Sequence, residues 1–250
     1  MKIEAIKTTL AEIEPLRVMF LQEHNFQIRY NACHERGWSD SWLLVAEGER
    51  VGYGSVKGKE DLGSRDAIFE FFLLHEYRKT ASLVFSKLLA ASGATHIECQ
   101  SNELMLTSLL FEFSRSIRSE VVLFEDHLAT ERTMPDAIFR TRVAAEQVFT
   151  HHLEPVGDYV LQKDGKVVAT GGFMTHYNPP FADLYFEVEE NYWGKGFASF
   201  LLQEIKKECF RSGKIPAARC SIRNMASRGA LTNAGLRVCR FMLEGAVMPK

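Results

Sequence analysis

The sequence has 250 residues, of which 46% are hydrophobic and 25% are charged, and its formal net charge is −2. These values are typical of a globular protein with room for two domains of ordinary size. The near-neutral charge and the lack of a basic stripe argue against a nucleic-acid-binding protein. No apolar run approaches the ~18 residues of a membrane span, and the N-terminal stretch lacks the apolar core of a signal peptide. We therefore expect a cytoplasmic protein that binds neither nucleic acid nor membranes.

The predicted elements follow the same order in each half of the chain, namely a hairpin, a strand, a helix, a strand, a short helix and a last strand. In the first half, the hairpin and the next two strands are predicted at residues 44–55, 66–74 and 94–100. In the second half, they are predicted at residues 160–172, 182–188 and 216–222. Tyr77 and Tyr192, which precede corresponding helices, lie 115 residues apart. The sequence therefore contains an internal repeat.

A polar segment at residues 126–135 ends in proline and is typical of a linker between the two copies. We therefore predict two domains, at residues 1–129 and 130–250. Each domain is predicted to have a mixed α/β (α+β) fold, in which helices flank a twisted mixed β-sheet.

A helix is predicted after the glycine-rich turn Gly194-Lys195-Gly196, because apolar residues recur every four positions from Phe197 to Cys209. The backbone N–H groups and the dipole at a helix N-terminus favour an anion. Glycine lets a phosphate approach the backbone closely, and Lys195 adds a positive charge. The turn is therefore predicted to bind a phosphate group, although a plain strand-to-helix turn would also use glycine.

Three phosphate-binding patterns were compared with this turn. A Walker A loop is absent, and the Rossmann pattern G-x-G-x-x-G is matched poorly because GKGFAS ends in Ser199. A third pattern, R/Q-x-x-G-x-G/A, fits WGKGFA, with Trp193 in place of Arg or Gln and Ala198 in the last position.

A second motif, NMASRGALTNAGL at residues 224–236, is similar to the N-x-x-[AS]…A-G-[FL] segment of one family. With both motifs, the sequence resembles the GNAT superfamily of acyl-CoA-dependent N-acyltransferases over residues 137–245 and, through the repeat, over residues 1–126. The resemblance implies acetyl-CoA (coenzyme A) as cofactor. The turn would cradle its pyrophosphate, the end of the strand at 182–188 would pair with its pantetheine arm, and Asn224 would hydrogen-bond that arm. The implied cofactor-binding residues are Val188, Trp193, Gly194, Lys195, Gly196, Phe197, Ala198, Ser199 and Asn224.

The first copy departs from this motif. Aligned on the tyrosines, RKTASL at residues 78–83 places Ala81 and Leu83 where the second copy has Gly196 and Ala198. These side chains would crowd a phosphate. We therefore interpret the first domain as a degenerate GNAT-like domain that does not bind cofactor, and we predict one coenzyme A per chain.

Two acidic residues on the strand at 182–188, Asp183 and Glu187, project from the same face. A protonated amine, with a pKa near ~10, must lose a proton before it attacks a thioester, so these residues are candidate catalytic bases. Glu187 is ranked first because Val188 begins the segment that would pair with pantetheine. His176 and Tyr177, in the Pro-rich loop before the strand, are candidate substrate-binding residues. The alternative for the two acidic residues is a solvated strand face without a catalytic role. The alternative for His176 and Tyr177 is a rigid hairpin loop whose aromatic residues are incidental.

Two histidines and five cysteines were considered as metal ligands. His151 and His152 lack a third ligand at metal-binding spacing, and we interpret them as residues near a helix end. The cysteines are scattered and include no C-x-x-C pair. We therefore predict no metal and no disulfide framework.

The sequence thus predicts an N-acetyltransferase whose second domain passes the acetyl group of acetyl-CoA directly to a small-molecule or peptide amine, with a homodimer as a candidate assembly. Many GNAT enzymes have a tyrosine that protonates the leaving thiolate, at the position that Leu231 occupies here. The alternative is therefore a non-catalytic acyl-CoA-binding regulatory protein, and a purely structural protein that binds no coenzyme A is a third possibility.

Overall fold

The structure is a computed structural model, and it describes residues 2–23, 25–152 and 154–249. The chain forms two compact units: Met1–Glu120 with Phe241–Lys250, and Val121–Arg240. The sequence predicts a single boundary near residue 130, and that boundary stays a prediction. The compact units instead change at residue 120 and again at residue 240, because the end of the chain belongs to the first unit.

The first unit contains a mixed β-sheet. Its first four strands are consecutive antiparallel neighbours: β1 (Ile3–Thr8), β2 (Ser39–Ala46), β3 (Glu49–Lys57) and β4 (Ala67–Leu73). β5 (His96–Gln100) runs parallel to β4.

The helices of the first unit lie between these strands in the chain. α1 (Leu10–Glu23) and α2 (Asn31–Glu35) connect β1 to β2. A 3₁₀ helix (His75–Thr80) leads into α3 (Ala81–Ser92), and α4 (Leu104–Phe113) follows β5. α3 buries Val84, Phe85 and Leu88, a helical spacing, within the apolar core of this unit.

A polar cluster is buried beneath α1 in the first unit. The Arg17 Nε atom lies 3.1 Å from one carboxylate oxygen of Glu70 on β4, and the Arg17 Nη2 atom donates to Asn31 Oδ1 at 3.0 Å. Glu70 also contacts His34 Nε2 at 3.1 Å and accepts from the Tyr53 hydroxyl at 3.0 Å. Every charge in the cluster is therefore partnered, as burial requires.

The second unit repeats the same strand order. β7 (Ile138–Thr141), β8 (Tyr159–Lys163), β9 (Lys166–Met174) and β10 (Phe181–Val188) are antiparallel neighbours, and β11 (Ile215–Ser221) runs parallel to β10. This order confirms the predicted repeat and the predicted mixed α/β fold. Both predicted hairpins are present.

The strand that follows β5 or β11 in each sheet comes from a distant part of the chain. β5 pairs with residues 242–246 of β12 (Leu236–Val247), the last strand of the chain. β11 pairs with residues 121–125 of β6 (Ser114–Asp126). The two long strands therefore each contribute to both units. The sequence pattern does not predict this exchange, because an apolar strand fits either sheet.

The helices of the second unit follow β10 and β11. A short 3₁₀ helix (Glu190–Tyr192) leads to α5 (Phe197–Arg211), and α6 (Met225–Asn233) follows β11. The described residues between β7 and β8 form no helix, although α1 and α2 occupy that place in the first unit. The prediction that His151 and His152 lie near a helix end is therefore wrong. In the described part of the chain, no helix is long and apolar enough to cross a membrane.

Candidate cofactor and acceptor site

The turn before α5 depends on two glycines in the left-handed conformation. Gly194 has a φ of 73° and Gly196, the N-cap residue of α5, has a φ of 86°. Residues with a Cβ atom rarely adopt these backbone angles, which explains why glycine occurs at both positions. The first helical hydrogen bond runs from the Phe200 N–H to the Gly196 carbonyl, at 3.1 Å. The three backbone amides between these two residues belong to Phe197, Ala198 and Ser199.

No side chain of the described residues caps this helix end. The amides and the helix dipole therefore form a site for an anion. A Cβ atom at Gly194 would meet no atom within 4 Å, and one at Gly196 would meet only a Met134 side-chain carbon at 3.7 Å. The space in front of the amides is thus open to a ligand.

Trp193 connects this turn to the end of β10. Its indole Nε1–H donates to the Val188 carbonyl at 2.7 Å, while the side chain is 61% exposed. Lys195 donates to the Asn191 carbonyl at 2.9 Å, and its ammonium lies 5.5 Å from the ring centroid of Tyr192. Trp193, at the position where the motif usually has Arg or Gln, therefore connects the turn to the end of β10 through its indole hydrogen bond.

A cavity of about 290 Å³ lies beside the turn. Its lining includes Met134, Lys163, Tyr192, Lys195 and Phe197. Asp136 also lines the cavity and lies 3.4 Å from the Lys163 ammonium, so Lys195 is the lysine whose charge is left to favour a phosphate-containing ligand beside the amides.

β10 and β11 diverge next to this turn. The parallel pairing covers only residues 181–183 of β10 and ends where Asp183 lies opposite Ala217, whereas the pairing of β10 with β9 continues to Val188. Residues 184–188 therefore face a gap about 16 Å long, which runs from Asp183 to the glycine turn. The gap can accept an extended ligand that pairs with the strand edge.

Asn224 lies at the N-terminus of α6. Its side-chain oxygen accepts a hydrogen bond from the Ser227 backbone N–H at 3.0 Å, which makes it the N-cap of this helix. Its interaction with pantetheine stays a prediction. Leu231 is buried on α6. Because leucine has no hydroxyl group, this position offers no proton donor.

The residues of β10 project alternately to its two sides. A Cβ atom at Gly171, which is paired with Phe186, would lie 2.8 Å from Ile205 of α5. Phe186 therefore projects toward α5, and Asp183 and Glu187 project from the opposite face. The structure thus brings both predicted acids to one face of the strand.

Asp183 lies at the closed end of the gap and is almost fully buried. Its carboxylate is 3.2 Å from His176 Nε2 and 3.7 Å from Arg219 Nε, and Arg219 lies over the Tyr177 ring. Tyr177 is 1% exposed, and its hydroxyl lies next to the Asp183 carboxylate. Burial and the charge of Asp183 raise the pKa of Tyr177 well above its usual value. Of the two predicted substrate-binding residues, His176 is therefore accessible to a ligand, whereas Tyr177 is buried behind Asp183.

Glu187 forms hydrogen bonds with the backbone of the segment before β8. Its carboxylate accepts from the backbone N–H groups of His152 at 2.9 Å and Glu154 at 3.2 Å, and it lies 3.2 Å from His151 Nδ1. A carboxylate with this many partners is poorly placed to take a proton from a substrate. These contacts do not support the rank of Glu187 as first candidate base, and the order of Glu187 and Asp183 stays a prediction.

Glu154 is a third acidic residue at this site, and the sequence analysis missed it. Its side chain is half-buried. Burial, followed by the negative charges of Asp183 and Glu187, raises the pKa of Glu154, while Arg219 and His151 act in the opposite direction. Arg219 was also missed. Neither residue belongs to a motif or a periodic pattern that could have indicated it.

The first unit lacks the corresponding glycine turn. The six-residue 3₁₀ helix His75–Thr80 leads directly into α3, and none of the described residues 74–83 has a positive φ. Ala81, the first residue of α3, has ordinary helical angles. The backbone geometry that exposes amides at Gly194 and Gly196 is therefore not found in the described residues here.

The gap between β4 and β5 in the first unit is bridged by side chains. The two strands pair only at Ala67 and Ile68 of β4, and beyond them Glu103 accepts a hydrogen bond from the Phe71 backbone N–H. Gln100 accepts from two backbone amides of a buried segment, at 3.2 and 3.1 Å, and donates to a carbonyl of the same segment at 2.9 Å. That segment is residues 26–28. The chain itself thus occupies this gap.

Glu103 gives this bridge a predicted pH dependence. Burial and the charge of Glu70 raise the pKa of Glu103 well above its usual value. The native state therefore holds a proton that the unfolded chain releases above about pH 4.5. The contribution of Glu103 to stability should fall by about 1.4 kcal/mol per pH unit from there until the folded pKa is reached.

We expect Glu103→Gln, which keeps an acceptor for Phe71, to unfold at a higher temperature than wild type at pH 8 and at a similar temperature at pH 5. Thermal unfolding at both pH values measures this. Glu49→Gln, a change at an exposed position, is the control and should leave the pH dependence unchanged. Equal pH dependence in Glu103→Gln and wild type would contradict the prediction.

Comparison with protein-family models agrees with this geometry. A model described as "Acetyltransferase (GNAT) family" matches residues 123–235, and one described as "Acetyltransferase (GNAT) domain" matches residues 9–127. The chain therefore belongs to the GNAT acetyltransferase family and carries two of its domains in tandem. No curated protein matches the sequence.

Solved structures share this fold at low sequence identity. A GNAT-family acetyltransferase from Colwellia psychrerythraea superposes with a TM-score of 0.77 at 14% identity, with coverage of 99% of this chain and 100% of that one. A tandem GNAT protein from the clavulanic acid biosynthesis pathway, solved without AcCoA, has a TM-score of 0.61 at 10% identity, with both chains fully covered. A GCN5-related N-acetyltransferase from Sphaerobacter thermophilus has a TM-score of 0.54 at 14% identity, with coverage of 99% and 96%.

Proposed function

We propose that the protein is an N-acetyltransferase that transfers the acetyl group of acetyl-CoA to an amine, and that the second unit carries the reaction. The observation that supports this most strongly is the combination of an open anion site at α5 with a gap between β10 and β11 that begins at the same turn. The amides of residues 197–199 would bind the pyrophosphate, and the free edge of β10 would pair with the pantetheine arm. Acetyl-CoA supplies an activated acetyl thioester.

The closed end of the gap is where the acceptor amine would react. An arm that enters at the glycine turn and follows β10 ends near Asp183, which lies in the last paired position. Acidic side chains there would attract a protonated amine and assist its deprotonation. Tyr177 stays protonated and lies beside Asp183, while Leu231 offers no proton to the leaving thiolate. Water can serve that step, because a thiol pKa near ~8.5 makes the thiolate a tolerable leaving group.

The first unit would not bind cofactor. Its helix α3 follows a 3₁₀ helix without left-handed glycines, and Glu103 and residues 26–28 occupy its gap. We therefore expect one coenzyme A per chain. Isothermal titration calorimetry of the full chain should give a stoichiometry near one, and two sites of similar affinity would contradict this prediction.

Thiol release during turnover tests the proposed reaction. Wild-type protein with acetyl-CoA and a panel of primary amines should release free coenzyme A in proportion to acetylated product. The alternative function, an acyl-CoA-binding regulator, predicts tight binding without release. A structural protein predicts no binding.

A further inference from the structure

We propose that Glu154, on the irregular segment before β8, is the catalytic base that takes the proton from a protonated amine acceptor. This inference rests on the proposed acetyl transfer. It adds a residue that lies outside β10 and outside both sequence motifs. The charges and contacts along the face of β10 that carries Asp183 and Glu187 support it.

The backbone of Glu154 is held in place from two sides. Its N–H donates to the Glu187 carboxylate at 3.2 Å, and its carbonyl lies 3.0 Å from His151 Nδ1. A carbonyl only accepts hydrogen bonds, so Nδ1 carries the proton. Glu187 thus acts as a positioning residue for the segment, while the described structure assigns no hydrogen-bond partner to the Glu154 carboxylate.

The Glu154 backbone N–H is bonded to Glu187, and the charge of Asp183 acts on the Glu154 carboxylate, so Glu154 lies beside the acidic face of β10. Asp183 lies on β10, and Arg219 lies two residues beyond Ala217 on the diverging part of β11, so both project to the same face of the sheet. The titratable and charged groups that act on Glu154 or on which it acts are Asp183, Tyr185, Glu187, Arg219 and His151.

Glu154 differs from the other two acids in its freedom to accept a proton. Asp183 is held by His176 and Arg219, and Glu187 is held by two amides and His151. Glu154 has only part of its side chain buried, and its raised pKa brings it closer to neutrality, where a base works best.

The reaction balances with this assignment. The ammonium gives one proton to the Glu154 carboxylate, which later returns it to solvent. The neutral nitrogen then forms a bond to the acetyl carbon as the carbon–sulfur bond breaks. The second nitrogen proton leaves as the amide forms, and the thiolate gains a proton through water.

The test compares Glu154→Gln with wild type in pH–rate profiles of coenzyme A release. We expect kcat/KM to fall about 100-fold at pH 7, the lower end for general base catalysis, and to recover toward wild type as the pH approaches the pKa of the amine. Affinity for coenzyme A, measured by calorimetry, should not change. Glu131→Gln, which removes an exposed charge in the linker, is the control for charge alone.

Glu187→Gln separates positioning from proton transfer. It should lower the rate by a similar factor at every pH, because it loosens the segment instead of removing the base. If high pH restores the rate of Glu187→Gln but does not restore the rate of Glu154→Gln, Glu187 is the base and the inference is overturned.

Carbon-13 labelling of glutamate carboxyl groups gives a readout independent of turnover. The resonance that disappears in Glu154→Gln should titrate above the ordinary glutamate range, and titration at or below that range would overturn the inference. Wild-type release of coenzyme A with an unchanged Glu154→Gln profile would overturn the inference alone. If wild-type protein releases no coenzyme A, both the proposed function and this inference are overturned.

Discussion

Gly196→Asp is expected to abolish binding of coenzyme A to the second unit. The new carboxylate would lie at the N-terminus of α5, where it would accept hydrogen bonds from the amides that otherwise face a phosphate. Its negative charge would also repel the ligand. The affinity should fall by roughly 100-fold or more, as calorimetry can measure.

The strain of a side chain at a positive φ must be separated from loss of the site. Gly213 lies just after the other end of α5, has a φ of 73° and has open space around its Cα. Gly213→Asp therefore carries a similar backbone cost, of roughly 1–2 kcal/mol, without touching the turn. This control should keep wild-type affinity. Unchanged affinity in folded Gly196→Asp protein would remove the basis of the proposed cofactor site.

Arg17→Met is expected to destabilise the first unit by about 3–5 kcal/mol, the cost of leaving a buried charge without its partner. Glu70, which has 2% of its side chain exposed, would keep only His34 and Tyr53. Burial opposes ionisation, but the hydrogen bond from His34 and the charge of Arg17 lower the pKa of Glu70 overall. The contribution of the pair is therefore present above about pH 4.5 and is lost as the pH falls through the folded pKa.

Urea unfolding at pH 7 measures this loss, and repetition at low pH should show a smaller difference from wild type. Arg50→Met breaks an exposed ion pair with Glu12, so it provides a matched control with an expected effect below about 1 kcal/mol. Similar effects of the two substitutions would show that the buried cluster does not stabilise the fold.

Local patterns were sufficient to predict the repeat and the glycine turn before α5. Apolar alternation and turn residues indicate the hairpins, and helical spacing from Phe197 to Cys209 indicates α5. Gly194 and Gly196 were identified because glycine lets a phosphate approach the backbone, and the structure adds that both residues have a positive φ. Asn224 was identified through the family motif, and the structure shows it as the N-cap of α6.

The features that were missed depend on contacts between distant residues. The exchange of β6 and β12 leaves no local pattern, since each strand would be apolar beside either neighbour. Glu154 and Arg219 acquire their importance only when the sheet brings them near Asp183. Glu103 and Gln100 are polar residues at the end of a buried strand, a signal that could have indicated that this gap is bridged.

The exchange of strands links the first unit to the timing of protein synthesis. Gln100 pairs with Met242, a residue that the ribosome adds 142 residues later. While the second unit is being made, residues 96–100 remain an unpaired sheet edge, the kind of surface on which chains aggregate. The first half of the chain therefore cannot finish folding ahead of the second, and a chain truncated before residue 241 would leave this edge uncovered.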